Sequence, residues 1–402
     1  MTIMKTLSTF ILLIILVLAY LPAPKAQEIS LRKQRETRRC GTTATAKDYE
    51  VAMARMRQIR KNRDLNLEAQ ALDPPTDAPY YIPLSIHIVR NSQGNGGLAL
   101  NALNRAMEDL NRIWQPVGVQ FFIYGNIDYI NDTALYYLPG GDSAAEVAAR
   151  NALRLTNPYP NTVNVYFTNI AGLLGESTFS TDPVQGVLMD NKTAGVVDNP
   201  STPQREDDPS TFAHEIGHYF DIPHTHHRFK DEDGNLIPLE CPDGSNCDAA
   251  GDLLCDTPAD PNLDGKVDAS CNYTGSVMGP AGCGNTPYNP PTRNVMSYSL
   301  PVCSTQFTPK QIEVALYSLR NQRPNLITKG ARYVDPLASP SNEECTYNSP
   351  CQLIRKAVEV AQDGDFIFIK PAFNHVSKNS PLDGKRVTLM RWGTTGEVNI
   401  TN

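Results

Sequence analysis

The stretch His214-Glu215-Ile216-Gly217-His218-Tyr219-Phe220-Asp221-Ile222-Pro223-His224 decides how this chain is read. On an α-helix, residues four apart share a face, so His214 and His218 can point at one ion. Glu215 is turned about 100° from His214 and so reaches a water on the metal rather than the metal. His224 lies beyond the helix end and approaches from another direction. Pro223 disfavours helical geometry at Ile222, which predicts a helix that stops just before His224. Three neutral imidazoles leave Zn2+ its charge and one open position, and bound water then has a pKa of about 7. Glu215 is placed to act as general base toward that water and to return the proton to a leaving amine. The pattern predicts zinc-dependent hydrolysis of peptide bonds. His226 and His227 are rival third ligands, and the spacing favours His224.

Downstream, Arg293-Asn294-Val295-Met296-Ser297-Tyr298 resembles the Met-turn of metzincin peptidases. That resemblance implies an apolar floor at Met296 and a metal-facing Tyr298 whose hydroxyl stabilises a tetrahedral oxyanion. Taken alone, Met296 reads as an ordinary core residue. The match extends to Thr211-Phe212-Ala213, His224-Thr225, Gly251–Pro258, Cys303, and Phe307-Thr308-Pro309 with Gln311. Together these segments resemble the pappalysin family of metzincins, from about Ile82 to Leu326.

The resemblance implies an α/β fold with a metzincin-like catalytic domain. That domain has a twisted five-stranded sheet, an active-site helix and a loop-rich, disulfide-bonded lower half. One position departs from the family, which usually has glycine where this chain has Asp221. The chain turns sharply there, often with positive φ. Aspartate tolerates left-handed geometry better than most residues, so the turn is expected to form, and the placing of His224 depends on it. Some family members have acidic residues after the Met-turn tyrosine and prefer basic residues beyond the scissile bond. Ser299-Leu300-Pro301-Val302 has no acid, which points to an apolar preference.

Lys5, the apolar run Leu7 to Leu21 and the small residues ending at Ala26 read as a secretory signal peptide. The run is short for a membrane span, the alternative being an uncleaved anchor. A secreted protein is expected, with a signal peptide over 1–26, a pro-segment over 27–78, a catalytic domain over 79–330 and a C-terminal segment over 340–402. The net charge of −7 divides into +2 for residues 1–26, +3 for 27–80 and −12 for the remainder. Such an acidic remainder argues against nucleic acid as a partner. Protein or peptide substrates are the partners expected.

Nine cysteines suit an oxidising compartment. Cys241, Cys247, Cys255, Cys271, Cys283 and Cys303 follow the zinc motif, and up to three bridges are expected among them, with pairing left open. Cys345 and Cys351 form a local pair, which leaves Cys40. A thiolate is a good zinc ligand, and the resemblance implies a cysteine switch in a short pro-segment. Cys40 is thus the candidate latency ligand, with cleavage between Arg55 and Arg63 to release it. An ordinary disulfide or stray thiol is the alternative.

Composition predicts a pro-segment helix over Ala46–Lys61 and a stiff, exposed linker over Leu72–Pro79, and periodicity sets the elements that follow. It also predicts a half-buried strand over Ile82–Val89, a helix over Leu98–Trp114 and a strand over Val117–Tyr124. Then come a helix over Ala144–Leu155, a strand over Val163–Phe167, two more strands near Gly172–Gly175 and Gly186–Met189, and a closing helix over Thr308–Leu319. Gly172–Phe179 is the candidate edge for binding a peptide by backbone pairing.

Asp252 and Thr257 are candidate ligands for a structural Ca2+, the alternative being an Asp-capped turn. Beyond Pro336, Cys351–Val358, Asp363–Pro371 and Lys385–Leu389 resemble the start of a right-handed parallel β-helix, a small β-rich segment suited to cell-surface or polysaccharide contact. At least three units are normally needed, so the segment is expected to be truncated or to pack on the catalytic domain. Asn131, Asn191, Asn272 and Asn399 lie in glycosylation sequons. A non-catalytic adhesin with a vestigial metal site is the competing reading, and the intact Glu215 argues against it.

Overall fold

A computed structural model describes residues 39–64, 80–194, 208–326, 331–362, 365–376, 385, 387–392 and 398–401. The expected signal peptide and linker lie outside the described residues. Among the described residues no helix is long and apolar enough to cross a membrane.

The elements run β1 (Arg39–Cys40), α1 (Ala46–Asp64), β2 (Tyr80–Arg90), α2 (Leu100–Trp114), β3 (Val119–Ile123), β4 (Asp128–Asn131) and α3 (Thr133–Tyr136). Next come β5 (Tyr137–Pro139), α4 (Ala144–Arg154), β6 (Val163–Ala171), β7 (Leu173–Glu176), β8 (Val187–Asp190), α5 (Thr211–Tyr219) and α6 (Pro309–Tyr317). The C-terminal part holds β9 (Ala331–Val334), α7 (Ile354–Val360), β10 (Phe366–Ile369), β11 (Ala372–Val376), β12 (Thr388–Arg391) and β13 (Val398–Thr401).

Strands β7, β8, β6, β2 and β3 lie in that order as the expected five-stranded sheet, with β1 added beyond β7. All neighbours are parallel except β7 and β8, which are antiparallel. Shorter strands β4 and β5 pair with β2 and β6. The alternation along β2 predicts a half-buried strand, but β2 is central and buried along nearly its whole length. Two polar residues at its centre find partners inside. Thr162 donates to Ser85 Oγ, and the His87 ring bonds Asp128 and Asn164.

Helix α2 buries its apolar stripe, Leu103, Met107, Leu110 and Trp114 among it, and Trp114 Nε1 donates to the Ala213 carbonyl of α5. Ser143 with Glu146 and Thr308 with Gln311 form reciprocal caps that start α4 and α6. One continuous apolar core therefore fixes α5 beneath the sheet. Residues 220–306 below it contain no helix or long strand. Bridges Cys241–Cys283, Cys247–Cys255 and Cys271–Cys303 tie them, which resolves the open pairing, and Cys345–Cys351 is the fourth.

In the C-terminal part, β9, β10 and β12 stack parallel and in register, so three rungs are present. Strand β9 falls between the expected domain boundaries. The segment packs on the catalytic sheet through Tyr81 and Phe122 against Tyr333 and Phe368, with the Tyr81 and Phe368 rings stacked at 4.0 Å.

Candidate active site

Helix α5 carries His214, Glu215 and His218 and ends at Tyr219, earlier than the proline predicts. The stop is made by Asp221 in the left-handed conformation, φ 65°. Asp221 N–H donates to the His218 carbonyl and Ile222 N–H to that of Gly217, the two bonds of a Schellman cap. The departure from glycine therefore still turns the chain and delivers His224.

The three imidazoles converge. His218 Nε2 lies 3.1 Å from His214 Nε2 and 3.0 Å from His224 Nε2. Tetrahedral zinc with bonds near 2.0–2.1 Å separates its nitrogen ligands by about 3.3 Å. Nδ1 of His214 bonds the Val295 carbonyl at 2.7 Å, and Nδ1 of His218 bonds that of Ile222 at 2.8 Å. These bonds put the proton on Nδ1 and leave the Nε2 lone pairs aimed at one point, the outer-sphere pattern of metal-binding histidine. Burial lowers the pKa of all three rings, His214 to about 4, which keeps them neutral as ligands must be. The donor set fits a zinc ion. The rival His226 instead lies over His224 at a ring distance of 4.9 Å, and His227 packs on Phe229 at 4.3 Å.

Cys40 completes a group of four whose ligand atoms all lie within 4.8 Å of one another. It forms no disulfide. Strand β1 brings it there by pairing parallel to the edge strand β7, and Gly41 N–H donates to the Gly175 carbonyl. Glu215 is fully buried, its Oε2 3.4 Å from Thr42 Oγ and its Oε1 without a hydrogen-bond partner. Burial pushes its pKa up to about 8. Glycine is required opposite it, because a Cβ at Gly175 would meet Glu215 Cγ at 2.6 Å.

Met296 lies fully buried beneath the ligand helix, where a Cβ at Gly217 would run into its sulfur. Asn294 locks this turn by accepting from Met296 N–H and exchanging two bonds with Gln311 of α6. The Tyr298 ring stands 4.8 Å from that of His224, and its hydroxyl donates to the Cys40 carbonyl.

Helix α1 is anchored separately. Arg55 Nη2 lies 3.0 Å from Asp221 Oδ2, both side chains buried, and Arg55 Nη1 also donates to the Asp221 carbonyl. The Asp221 carboxylate further accepts from Ser180 N–H and Ser318 Oγ. Cleavage expected from Arg55 onward is corrected at that residue, which is enclosed, whereas Arg57, Arg60 and Lys61 are exposed.

Asp252 Oδ2 and the neighbouring Glu240 Oε2 are buried with no partner, and burial raises the pKa of both carboxyls, that of Glu240 to about 8. Thr257 stands beside Asp252 and acts against that rise. Asp256 is occupied elsewhere, accepting from Thr308 Oγ and Lys310 N–H at the start of α6. Sequence reasoning missed Glu240, which lies outside the Gly251–Pro258 loop, and the pairing of Arg55 with Asp221, which joins residues far apart in the chain.

Residues 156–319 match the family profile described as pregnancy-associated plasma protein-A. Over those residues the chain is similar to the metallopeptidases of that family. Among its relatives, an extracellular metalloprotease of Colletotrichum graminicola is 27% identical over 248 residues, 60% of this chain and 76% of the relative. One from Verticillium alfalfae is 26% identical over 302 residues, 71% of this chain and 92% of the relative. Among solved structures, a promirolysin mutant from Tannerella forsythia aligns at TM-score 0.45 and 17% identity, covering 72% of this chain and 97% of its own. The family, the enzyme class and the extracellular location expected from the sequence are those the comparisons give.

Proposed function

We propose that this extracellular metalloendopeptidase hydrolyses peptide bonds at a zinc held by His214, His218 and His224, and is made latent by Cys40. The observation that carries the reading is the convergence of three buried Nε2 atoms with the Cys40 sulfur beside a buried carboxylate. When bound, Zn2+ supplies Lewis acidity toward a carbonyl and toward water. Glu215 moves the proton, taking it from the attacking water onto its carboxylate and passing it to the departing amine nitrogen. Tyr298 supplies an O–H donor to the scissile carbonyl oxygen as charge builds there, and its bond to the Cys40 carbonyl mimics that role. The edge strand β7 binds the substrate backbone, the position that β1 fills here. Beyond the zinc-held thiolate, latency is supported by the Arg55–Asp221 pair, which seats α1 beside the exit of the ligand helix.

The unpartnered oxygens of Asp252 and Glu240, with Thr257, support a structural Ca2+ in the lower half. The parallel rungs of the C-terminal segment are the feature that would serve cell-surface or polysaccharide contact.

Cys40→Ala tests the reading. It is expected to secrete an already active or self-degraded protein, whereas Cys40→Ala with Glu215→Ala is secreted intact and inert. An unchanged lag before casein cleavage in the single variant would overturn the latency role. Casein cleavage that survives chelation would overturn the metal role.

A further inference from the structure

Asp260 touches none of the reacting groups, yet it joins the two segments that carry them. Its side chain is buried, and one oxygen, Oδ2, accepts from Thr225 Oγ at 2.5 Å and from Ser297 Oγ at 2.6 Å. Oδ1 accepts from Asn262 N–H at 2.7 Å. Thr225 directly follows His224, and Ser297 sits between Met296 and Tyr298. A backbone bond from Thr225 N–H to the Met296 carbonyl runs beside this bridge. The carboxylate is held by neutral donors. Lys266 gives its ammonium to the Asn262 carbonyl at 2.7 Å, and His226 Nδ1 is 3.9 Å away, beyond hydrogen-bond reach.

Burying a carboxylate without a close cation is costly, and short charge-assisted O–H···O bonds offset that cost. Two such bonds converging on a single oxygen fix both hydroxyl rotors and the separation of the segments that carry them. We propose that Asp260 is a positioning residue, setting where His224 and Tyr298 stand relative to each other. This rests on the zinc-peptidase reading of the same site. Outer-sphere groups of metal sites change affinity or activity by about 10–100-fold when removed, and Asp260 acts one bond further out, so about tenfold is expected.

Matured Asp260→Ala should lose about tenfold in kcat at little-changed KM and give up zinc to a chelator about tenfold faster. The visible spectrum of its Co2+-substituted form should shift. Thr225→Val should move mainly metal retention, and Ser297→Ala mainly kcat. Adding Thr225→Val to Asp260→Ala should cost no further metal retention, because both break the same bridge. Asp260→Asn, which keeps an acceptor for the hydroxyls, should recover part of each loss. An Asp260→Ala protein with parental kcat and Co2+ spectrum that merely melts lower would overturn the proposal. Should that variant fail to fold, unchanged kcat and zinc retention in both Thr225→Val and Ser297→Ala overturn it equally. Metal retention and the spectrum are read without turnover, so an inactive parent protein would sink the peptidase reading and leave the Asp260 result legible.

Discussion

The sheet half and the loop half of the catalytic domain hold their parts of the site by different means. Above, β2, β6 and β8 with α2 and α5 enclose one large apolar core, and His214, Glu215 and His218 ride on a helix packed into it. Below, the apolar cluster is small, Phe229, Ile237 and Leu253 being its buried members. Position there comes from three disulfides and from the buried Asp260 carboxylate, which gathers backbone and hydroxyl donors. The proposed metal site straddles the two, with His224 and Tyr298 supplied by the lower half. A helix packed in a core places two of the proposed ligands by burial, whereas loops place the third by cross-links and polar clamps.

The largest effect should come from the sheet half. Glu215→Gln removes the proton acceptor and should lower kcat by about 10²–10⁴-fold, with melting temperature retained. A loss under tenfold in a peptide-cleavage assay would break the proposed division of labour. Ile86→Ala, in the buried central strand, should cost about 2–5 kcal/mol of global stability, measured by urea unfolding. In the loop half, Cys271→Ser with Cys303→Ser opens a closure spanning 32 residues and should cost about 3–4 kcal/mol. Trp114 fluorescence should report the sheet half unchanged under conditions where that variant has lost zinc. Simultaneous loss of both signals would show that the halves are one cooperative unit.

A smaller effect concerns pH. Burial holds Glu240 near 8 in the folded chain and raises Asp252 as well, against about 4 for unfolded carboxyls. The folded state therefore binds more protons between those values, and stability should be fullest below the unfolded range and fall as pH rises toward 8. Added Ca2+ should flatten that fall, and calcium-independent melting from pH 5 to 8 would remove the case for an ion there. The smallest effect is expected from Arg55→Ala, which should speed activation of the precursor several-fold while leaving the matured enzyme unchanged, as timed by casein cleavage.

Much of the upper half was legible because helical and strand periodicity survive in short windows. The His214, His218 and His224 spacing carries its own geometry, and Cys40 stands out by cysteine parity. What was not legible depends on distant pairing. The helix stop was expected from Pro223, a local rule, but Asp221 makes it. Alternation in β2 suggests one solvated face, yet Ser85 accepts from Thr162 just before β6 and His87 bonds Asn164 of β6 and Asp128 of β4, and that face is buried. Glu240 and Asp260 carry no local signal, since an acid in a loop is ordinarily solvated, and only the fold shows each one enclosed.

The side chain of Asp221 has a consequence for maturation. Once α1 departs, this anion keeps Ser180 N–H and Ser318 Oγ but exchanges its guanidinium for water. On the proposed latency, the precursor is then the sturdier species, and the working enzyme trades thermal endurance for an open cleft.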